Sequence, residues 1–154
     1  MDKLNWCLQQ KNGIELIETN QNLQRAYRKK AEDALETIHT SKSRDWKIIA
    51  AYYTIYNSVY SLLMRVGVKC EIHSCTILLV KIFFKTHFTF EDFELMDKAF
   101  SARIDSQYYV DRTISDEKEA FILKKTPAFM VKCKNIHLRE KEILDVRKKI
   151  SQLL

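Results

Sequence analysis

Four histidines are the residues of this chain most suited to acid–base chemistry: His39, His73, His87 and His137. Metal-free cleavage of RNA needs a histidine to move the 2′-hydroxyl proton and a fixed cation to stabilise the phosphorane charge. One to two helical turns between the two residues would aim both at one phosphate, but no histidine follows an arginine at that spacing. Arg65 precedes His73 by too many residues, and Lys132 before His137 lacks the guanidinium fork. His73 and His137 are therefore weak catalytic candidates, and the sequence favours binding over catalysis.

Metal binding is the next possibility, because Cys70, His73 and Cys75 lie close together in the sequence. Steps of three and two residues do not share a helical face, and three soft ligands are too few for a structural zinc site. We therefore predict no metal and no cofactor. The four cysteines, which include Cys7 and Cys133, show no CxxC pair and no regular disulfide spacing, so we predict reduced thiols in a cytoplasmic protein.

The segment AYYTIYNSVYSLLMRVGVKCEIH, residues 51 to 73, places four tyrosines, an asparagine, an arginine and a histidine in a helical, otherwise apolar pattern. Tyr52, Tyr56 and Tyr60 would form one ridge, and a neighbouring ridge would carry Tyr53 and Asn57. One interpretation is a hydrogen-bonded polar seam between helices, in which His73 satisfies a loop carbonyl. The other is a nucleotide-binding cleft. The residues that would line it are Tyr53, Asn57, His73, Arg103 and Tyr108.

A cationic stretch follows near the end of the chain. The net charge is +6, and the segment from Lys124 to Lys149 holds nine basic and three acidic residues, whereas the remaining residues balance. Such a stretch is either a solvated helix face or a surface that contacts several phosphates of RNA. The predicted nucleic-acid contacts are Lys132, Lys134, Arg139 and Lys149.

The elements that would position these residues are helical. Two glycines and one proline in 154 residues are too few for the turns of a β-rich fold, so we predict an all-α, up-and-down bundle of four to five long helices. Apolar spacing and capping residues indicate helices over about 21–39, 44–66 and 71–85, and others that begin near 89 and 115. Pro127 either breaks or kinks the last region, for which we predict a basic helix over about 127–154.

A particular family is indicated by the segments AAYYTIYNSVYSLLMRVGVKCEIHSCTI, FSARIDSQYYVD and SDEKEAFILKKTPAFMVKC. Their order and spacing resemble the HEPN domain family (higher eukaryotes and prokaryotes nucleotide-binding), in particular a small stand-alone prokaryotic branch, over about 20–136. Seven positions match the pattern of that branch, with tyrosine for phenylalanine at position 56: Tyr52, Tyr53, Tyr56, Gly67, His73, Arg103 and Tyr108. Four positions depart from it: Asn57, Ile72, Cys75 and Gln107.

The resemblance implies a single helical domain over 1–154 that binds RNA or nucleotide, or that pairs with a minimal nucleotidyltransferase in a toxin–antitoxin system. It implies alternatively a metal-independent ribonuclease toxin, although the family's motif, an arginine, four to six residues and then a histidine, is absent here. A purely structural interaction module is a third possibility. A homodimer is also expected, through the tyrosine ridge and a C-terminal apolar seam. The residues of that seam are Ile143, Val146, Ile150 and Leu153.

The longest apolar run, from Thr76 to Phe84, contains Lys81 and is about half as long as a membrane span requires. We therefore expect a soluble protein that does not enter a membrane.

Overall fold

A computed structural model describes residues 2–154, and its fold is all-α, as the sequence predicts. The helices are α1 (Lys3–Gln9), α2 (Gln21–Thr40), α3 (Arg44–Val66), α4 (His73–Phe83), α5 (Phe90–Tyr108), α6 (Asp116–Asn135) and α7 (Glu140–Ser151), with a short 3₁₀ turn at Lys85–His87. The structure also contains two short strands, β1 (Ile14–Leu16) and β2 (Val68–Cys70). No helix in residues 2–154 has the length and apolar character that a membrane crossing demands.

Helix α3 is the centre of the bundle. The Ser43 side chain accepts a hydrogen bond from the Trp46 backbone N–H at its start, and Gly67 ends it in the left-handed conformation with φ of 78°. Nearly every residue between Ile48 and Val66 is buried, because α2, α5 and α6 pack around the helix. The tyrosine-rich helix is thus enclosed by its neighbours.

The two strands form an antiparallel pair that the sequence analysis did not predict. Ile14 lies opposite Cys70, and Leu16 lies opposite Val68. Three residues are too few for an alternating pattern to be distinguished from a loop. The pair fixes the chain before α2 against the segment that leads from α3 to His73.

For the C-terminal helix over about 127–154, the predicted start is wrong. Helix α6 continues through Pro127 to Asn135, and α7 begins separately at Glu140. Tertiary packing explains the continuity: Ile122, Phe129 and Cys133 are buried, and the Thr126 hydroxyl donates to the Ile122 carbonyl at 2.7 Å. These contacts hold the helix despite the N–H that proline lacks.

The C-terminal seam packs within the chain. Ile143, Val146 and Ile150 are buried in the main hydrophobic core, whereas Leu153 is exposed. Tyr52, Tyr56 and Tyr60 are also buried. The homodimer itself stays a prediction, but the two surfaces from which it was predicted are occupied by the fold of the single chain.

The prediction that all four cysteines are reduced is wrong, because Cys7 and Cys75 form a disulfide that joins α1 to α4. Their Cα atoms lie 5.8 Å apart although they are 68 residues apart in sequence, so no local spacing could reveal the pair. Cys70 and Cys133 are free thiols and are buried. Disulfides are most common in oxidising compartments, and the cytoplasmic location stays a prediction.

Candidate functional site

Three helices bring most of the predicted ligand-binding residues into one cluster. Helix α3 supplies Tyr52, Tyr53 and Tyr56, the first residue of α4 is His73, and α5 supplies Arg103 and Tyr108. Tyr52 and Tyr53 are adjacent, so their side chains diverge around the helix. Tyr52 faces the core, whereas Tyr53 is only half-buried. We call these six residues the Arg103 cluster.

His73 is held by aromatic neighbours and not by the loop carbonyl that one interpretation predicted. Its Nδ1 atom lies 2.7 Å from the Tyr52 hydroxyl, and its ring stacks on Tyr56 with the centroids 4.1 Å apart. Burial, and secondly the positive charge of Arg103, lower the pKa of His73 below its ordinary value. Burial raises the pKa of Tyr52, so this phenol keeps its proton. In the Nε2-protonated tautomer the Tyr52 hydroxyl donates to Nδ1, which leaves Nε2–H as a free donor.

Arg103 is the unusual member of the cluster, because it is a buried cation without an acidic partner. Its side chain is among aromatic rings: the Cζ atom lies 5.2–5.5 Å from the ring centroids of Tyr52, Tyr53 and Tyr108. Nη2 donates to the hydroxyl groups of Tyr53 at 2.9 Å and Tyr108 at 3.3 Å. No carboxylate in residues 2–154 forms an ion pair with it.

Two buried donors of this region of α5 have no acceptor in the described chain, Nε of Arg103 and the Oγ of Ser106 one turn later. Arg103 is only 9% exposed, so its unpaired N–H group carries a desolvation cost. Tyr108, at 62% exposure, marks where this arginine approaches the surface. Arg103 therefore lies near the edge of the bundle, beside aromatic faces, with an Nε–H group that the protein covers but does not pair.

The predicted polar seam is also present, deeper along α3. Tyr56 stacks on Tyr60, whose hydroxyl accepts a hydrogen bond from the Cys70 backbone N–H. Burial raises the pKa of Tyr60 to about 12. Asn57 is buried, but it takes no part in the hydrogen bonds of the Arg103 cluster. A hydrogen-bonded seam thus lies inside the bundle, and a cation with aromatic neighbours lies nearer its surface, whereas the nucleotide-binding cleft stays a prediction.

The predicted nucleic-acid contacts are mostly engaged in ion pairs. Lys132 pairs with Asp92, Lys134 pairs with Glu32 at 2.8 Å, and Lys149 pairs with Asp145 at 2.7 Å. Arg139, just before α7, has no such partner among the described residues. Their contact with RNA stays a prediction, but the uninterrupted cationic helix on which it was based does not exist.

The pair of Lys132 and Asp92 has a structural role. Asp92 belongs to the capping box of α5, together with Thr89. Burial by itself would raise the pKa of Asp92, but the hydrogen bonds from Lys132 and Thr89 outweigh it and lower the pKa. Lys132→Glu would thus disturb a helix start as well as remove a charge, which makes this substitution a poor probe of RNA binding.

His137 lies in a surface groove that the sequence analysis did not foresee. Residues from α2, the end of α3 and the α6–α7 connection line this groove of about 290 Å³: Gln21, Gln24, Arg25, Arg28, Arg65, Ile136, His137 and Leu138. The arginines are 71 or more residues from Ile136 along the chain, with no motif that links them. We call it the Arg28 groove.

No group of three or more His, Cys, Asp and Glu residues in 2–154 is arranged to hold a metal ion. The fold and its site define an all-α bundle with a buried arginine in an aromatic cluster. No protein-family model matches this chain, and no curated protein matches its sequence.

Proposed function

We propose that this protein is a HEPN-like binding protein that takes the phosphate of a nucleotide, free or within RNA, at the Arg103 cluster. The observation that carries the proposal is the buried Arg103 guanidinium, which has an unpaired Nε–H and no carboxylate beside it. An isolated buried cation is costly, and an anion beside the guanidinium compensates its charge. Phosphate is one of the two anions, with carboxylate, that a guanidinium binds by two parallel hydrogen bonds.

The surrounding rings support a nucleotide over a simple anion. The hydroxyl oxygens of Tyr53 and Tyr108 accept hydrogen bonds from Arg103, and the Tyr108 side chain is largely exposed. Aromatic side chains bind unpaired bases by stacking, with little dependence on sequence. His73 would supply a further donor at Nε2. A phosphate at Arg103 and a base against Tyr108 use the two kinds of group that the cluster offers.

The experiment is calorimetric titration of the protein with AMP and with a short oligouridylate, with inorganic phosphate as the reference anion. Arg103→Lys keeps the charge but loses the fork, and we expect it to weaken AMP binding by about tenfold or more. Tyr108→Leu should weaken AMP binding and leave phosphate binding unchanged. The matched control is Arg112→Lys, because Arg112 is exposed and already pairs with Asp105 at 2.9 Å.

Two results would refute the proposal: AMP and oligouridylate that do not bind at all, or binding that Arg103→Lys and Arg112→Lys alter equally. Equal affinity for AMP and inorganic phosphate would show that the cluster binds an anion but does not recognise the rest of the nucleotide.

The resemblance to HEPN proteins adds two further proposals, a homodimer and a nucleotidyltransferase-type protein partner. Sedimentation at the monomer mass over micromolar concentrations would contradict the dimer. The partner is tested by co-expression with the product of the neighbouring reading frame, where one encodes such an enzyme. Failure of the two proteins to co-purify would count against the pair.

For the ribonuclease alternative, His137 is a better candidate than His73. Nδ1 of His73 is engaged by Tyr52 and its ring is stacked, whereas His137 is exposed beside arginines. A histidine with fixed guanidinium groups has the composition that metal-free RNA cleavage needs. The test is incubation of RNA with wild type and His137→Ala, and RNA that stays intact with wild type would eliminate this alternative.

A further inference from the structure

The Arg28 groove gathers cations from three separate parts of the chain. Arg25 and Arg28 lie on the first turns of α2, Arg65 is at the last turn of α3, and His137 is in the connection between α6 and α7. The first turns of α2 reach the end of α3 because the two helices are antiparallel neighbours. The cationic surface is therefore a product of packing and not of one basic helix.

Charge compensation in this groove is incomplete. Arg65 pairs with Glu140 at 3.1 Å, but Glu140 is 79% exposed and lies outside the groove lining. Arg28 has one long contact, from Nη2 to the Lys134 carbonyl oxygen at 3.5 Å, and its buried Nε has no acceptor in the described chain. Glu32, four residues after Arg28 on α2, is paired with Lys134. Arg25 makes only a 3.4 Å contact with the Asn22 side chain.

The lining also indicates which part of a ligand would enter. It contains three guanidinium groups, which only donate, and one imidazole and two glutamine amides, which can donate, and the apolar members are Ile136 and Leu138. No aromatic ring other than the imidazole is present on which a base could stack. The groove holds about 290 Å³, enough for a phosphate group with several waters, since each water takes about 30 Å³.

We propose that the Arg28 groove is a second anion site, which binds the phosphate groups of an extended phosphate chain. Arg28 and Arg65 hold the first phosphate by paired N–H donors, and Arg25 at the exposed edge meets the next. Such a chain comes from one of two sources, a polyphosphate or a nucleic-acid backbone. The site shares no residue with the Arg103 cluster, so it does not depend on nucleotide binding there.

The experiment titrates the full chain with inorganic tripolyphosphate and then asks whether a labelled oligouridylate competes. Arg25→Gln affects an exposed residue and should leave the fold intact, and we expect it to weaken tripolyphosphate binding by about two- to fivefold. Arg28→Lys keeps the charge but loses the fork, and should weaken it further. Lys42→Gln, which removes an equal charge from the connection between α2 and α3 at the other end of α2, is the control.

A third variant gives an effect of opposite sign. Glu140→Gln removes the carboxylate that competes for Arg65, so tripolyphosphate should bind more tightly, an outcome that general loss of structure cannot produce. The proposal is overturned if tripolyphosphate does not bind, if Lys42→Gln weakens binding as much as Arg25→Gln, or if Glu140→Gln weakens it.

If oligouridylate competes with tripolyphosphate, the phosphate chain that this groove binds is a nucleic-acid backbone. If oligouridylate does not compete, the phosphate chain is a polyphosphate. The two sites fail separately. Arg25→Gln should weaken tripolyphosphate binding and leave AMP binding unchanged, whereas Arg103→Lys should weaken AMP binding far more than tripolyphosphate binding.

Discussion

Nη1 of Arg147 lies 2.8 Å from the carbonyl oxygen of Val66, the last residue of α3. The same nitrogen also donates to the carbonyl of Ile17, after β1, at 2.7 Å. The last carbonyl groups of a helix have no partner within it and carry the negative end of its dipole. Arg147 therefore fastens α7 to the central helix and to the β1 segment, and it is a structural residue and not part of a cationic surface.

We expect Arg147→Met to lower the free energy of unfolding by about 3 kcal/mol, because a charged donor is lost and buried carbonyl groups are left unpaired. The measurement is urea unfolding followed by circular dichroism. Lys148→Met is the matched control, because Lys148 follows Arg147 on α7 and is exposed. Equal, small losses in both variants would show that the Arg147 contacts do not stabilise the fold.

Gly67 lies against the Arg147 guanidinium in this contact. Its φ is 78°, and a Cβ there would lie 2.4 Å from Arg147 Nη1 and 2.5 Å from the Ile17 carbonyl oxygen. Gly67→Ala should cost about 2–3 kcal/mol, from the left-handed backbone and from displacement of the arginine. Combined with Arg147→Met, it should cost less than the two losses added, because both variants break one contact. Strict additivity would contradict this coupling.

How much the sequence could predict differed between α3 and the elements around it. Ser43, Gly67 and a long apolar run define α3 locally, so its bounds and its burial follow from propensity and capping. The strand of Ile14–Leu16 and the continuation of α6 through Pro127 depend on packing partners that are distant in sequence, which local patterns do not encode.

The candidate site divides in the same way. The proximity of His73, Arg103 and Tyr53 was expected from a resemblance in which these positions recur together. The Arg28 groove could not be found, because the arginines at 25, 28 and 65 meet only when α2 folds against α3. Likewise, the charges of Lys132 and Lys134 looked free in the sequence, since their carboxylate partners lie 40 and 102 residues away.

The disulfide between Cys7 and Cys75 should contribute strongly to the free energy of unfolding, because it closes a loop of 68 residues in the unfolded chain. Chain entropy for a loop of this length corresponds to about 4 kcal/mol. We expect dithiothreitol to lower the stability of wild type and to have no effect on the Cys7→Ser/Cys75→Ser variant. Thiol counting in denaturant should give two reactive cysteines before reduction and four after it. Four reactive thiols before reduction would contradict the disulfide.

His73 should make stability depend on pH. Its pKa in the folded protein is below the ordinary value of 6.5, owing to burial and to Arg103. Below about pH 6.5 the unfolded chain therefore binds a proton at this position that the folded protein does not bind. The free energy of unfolding is at its full value above that pH and falls as the pH decreases through it, until the folded pKa is reached.

The measurement compares urea midpoints at about pH 7.5 and about pH 5 for wild type and His73→Gln. The variant should lose part of the pH dependence, whereas His39→Gln, at the exposed end of α2, should retain it in full. Asp92 does not interfere, since its lowered pKa places its contribution at more acidic pH. Tyr52→Phe should keep the sign of the effect, because burial and Arg103 remain. A His73→Gln variant with the same pH dependence as wild type would mean that His73 is protonated as readily in the folded protein as in the unfolded chain, and thus that the Arg103 cluster is open to water.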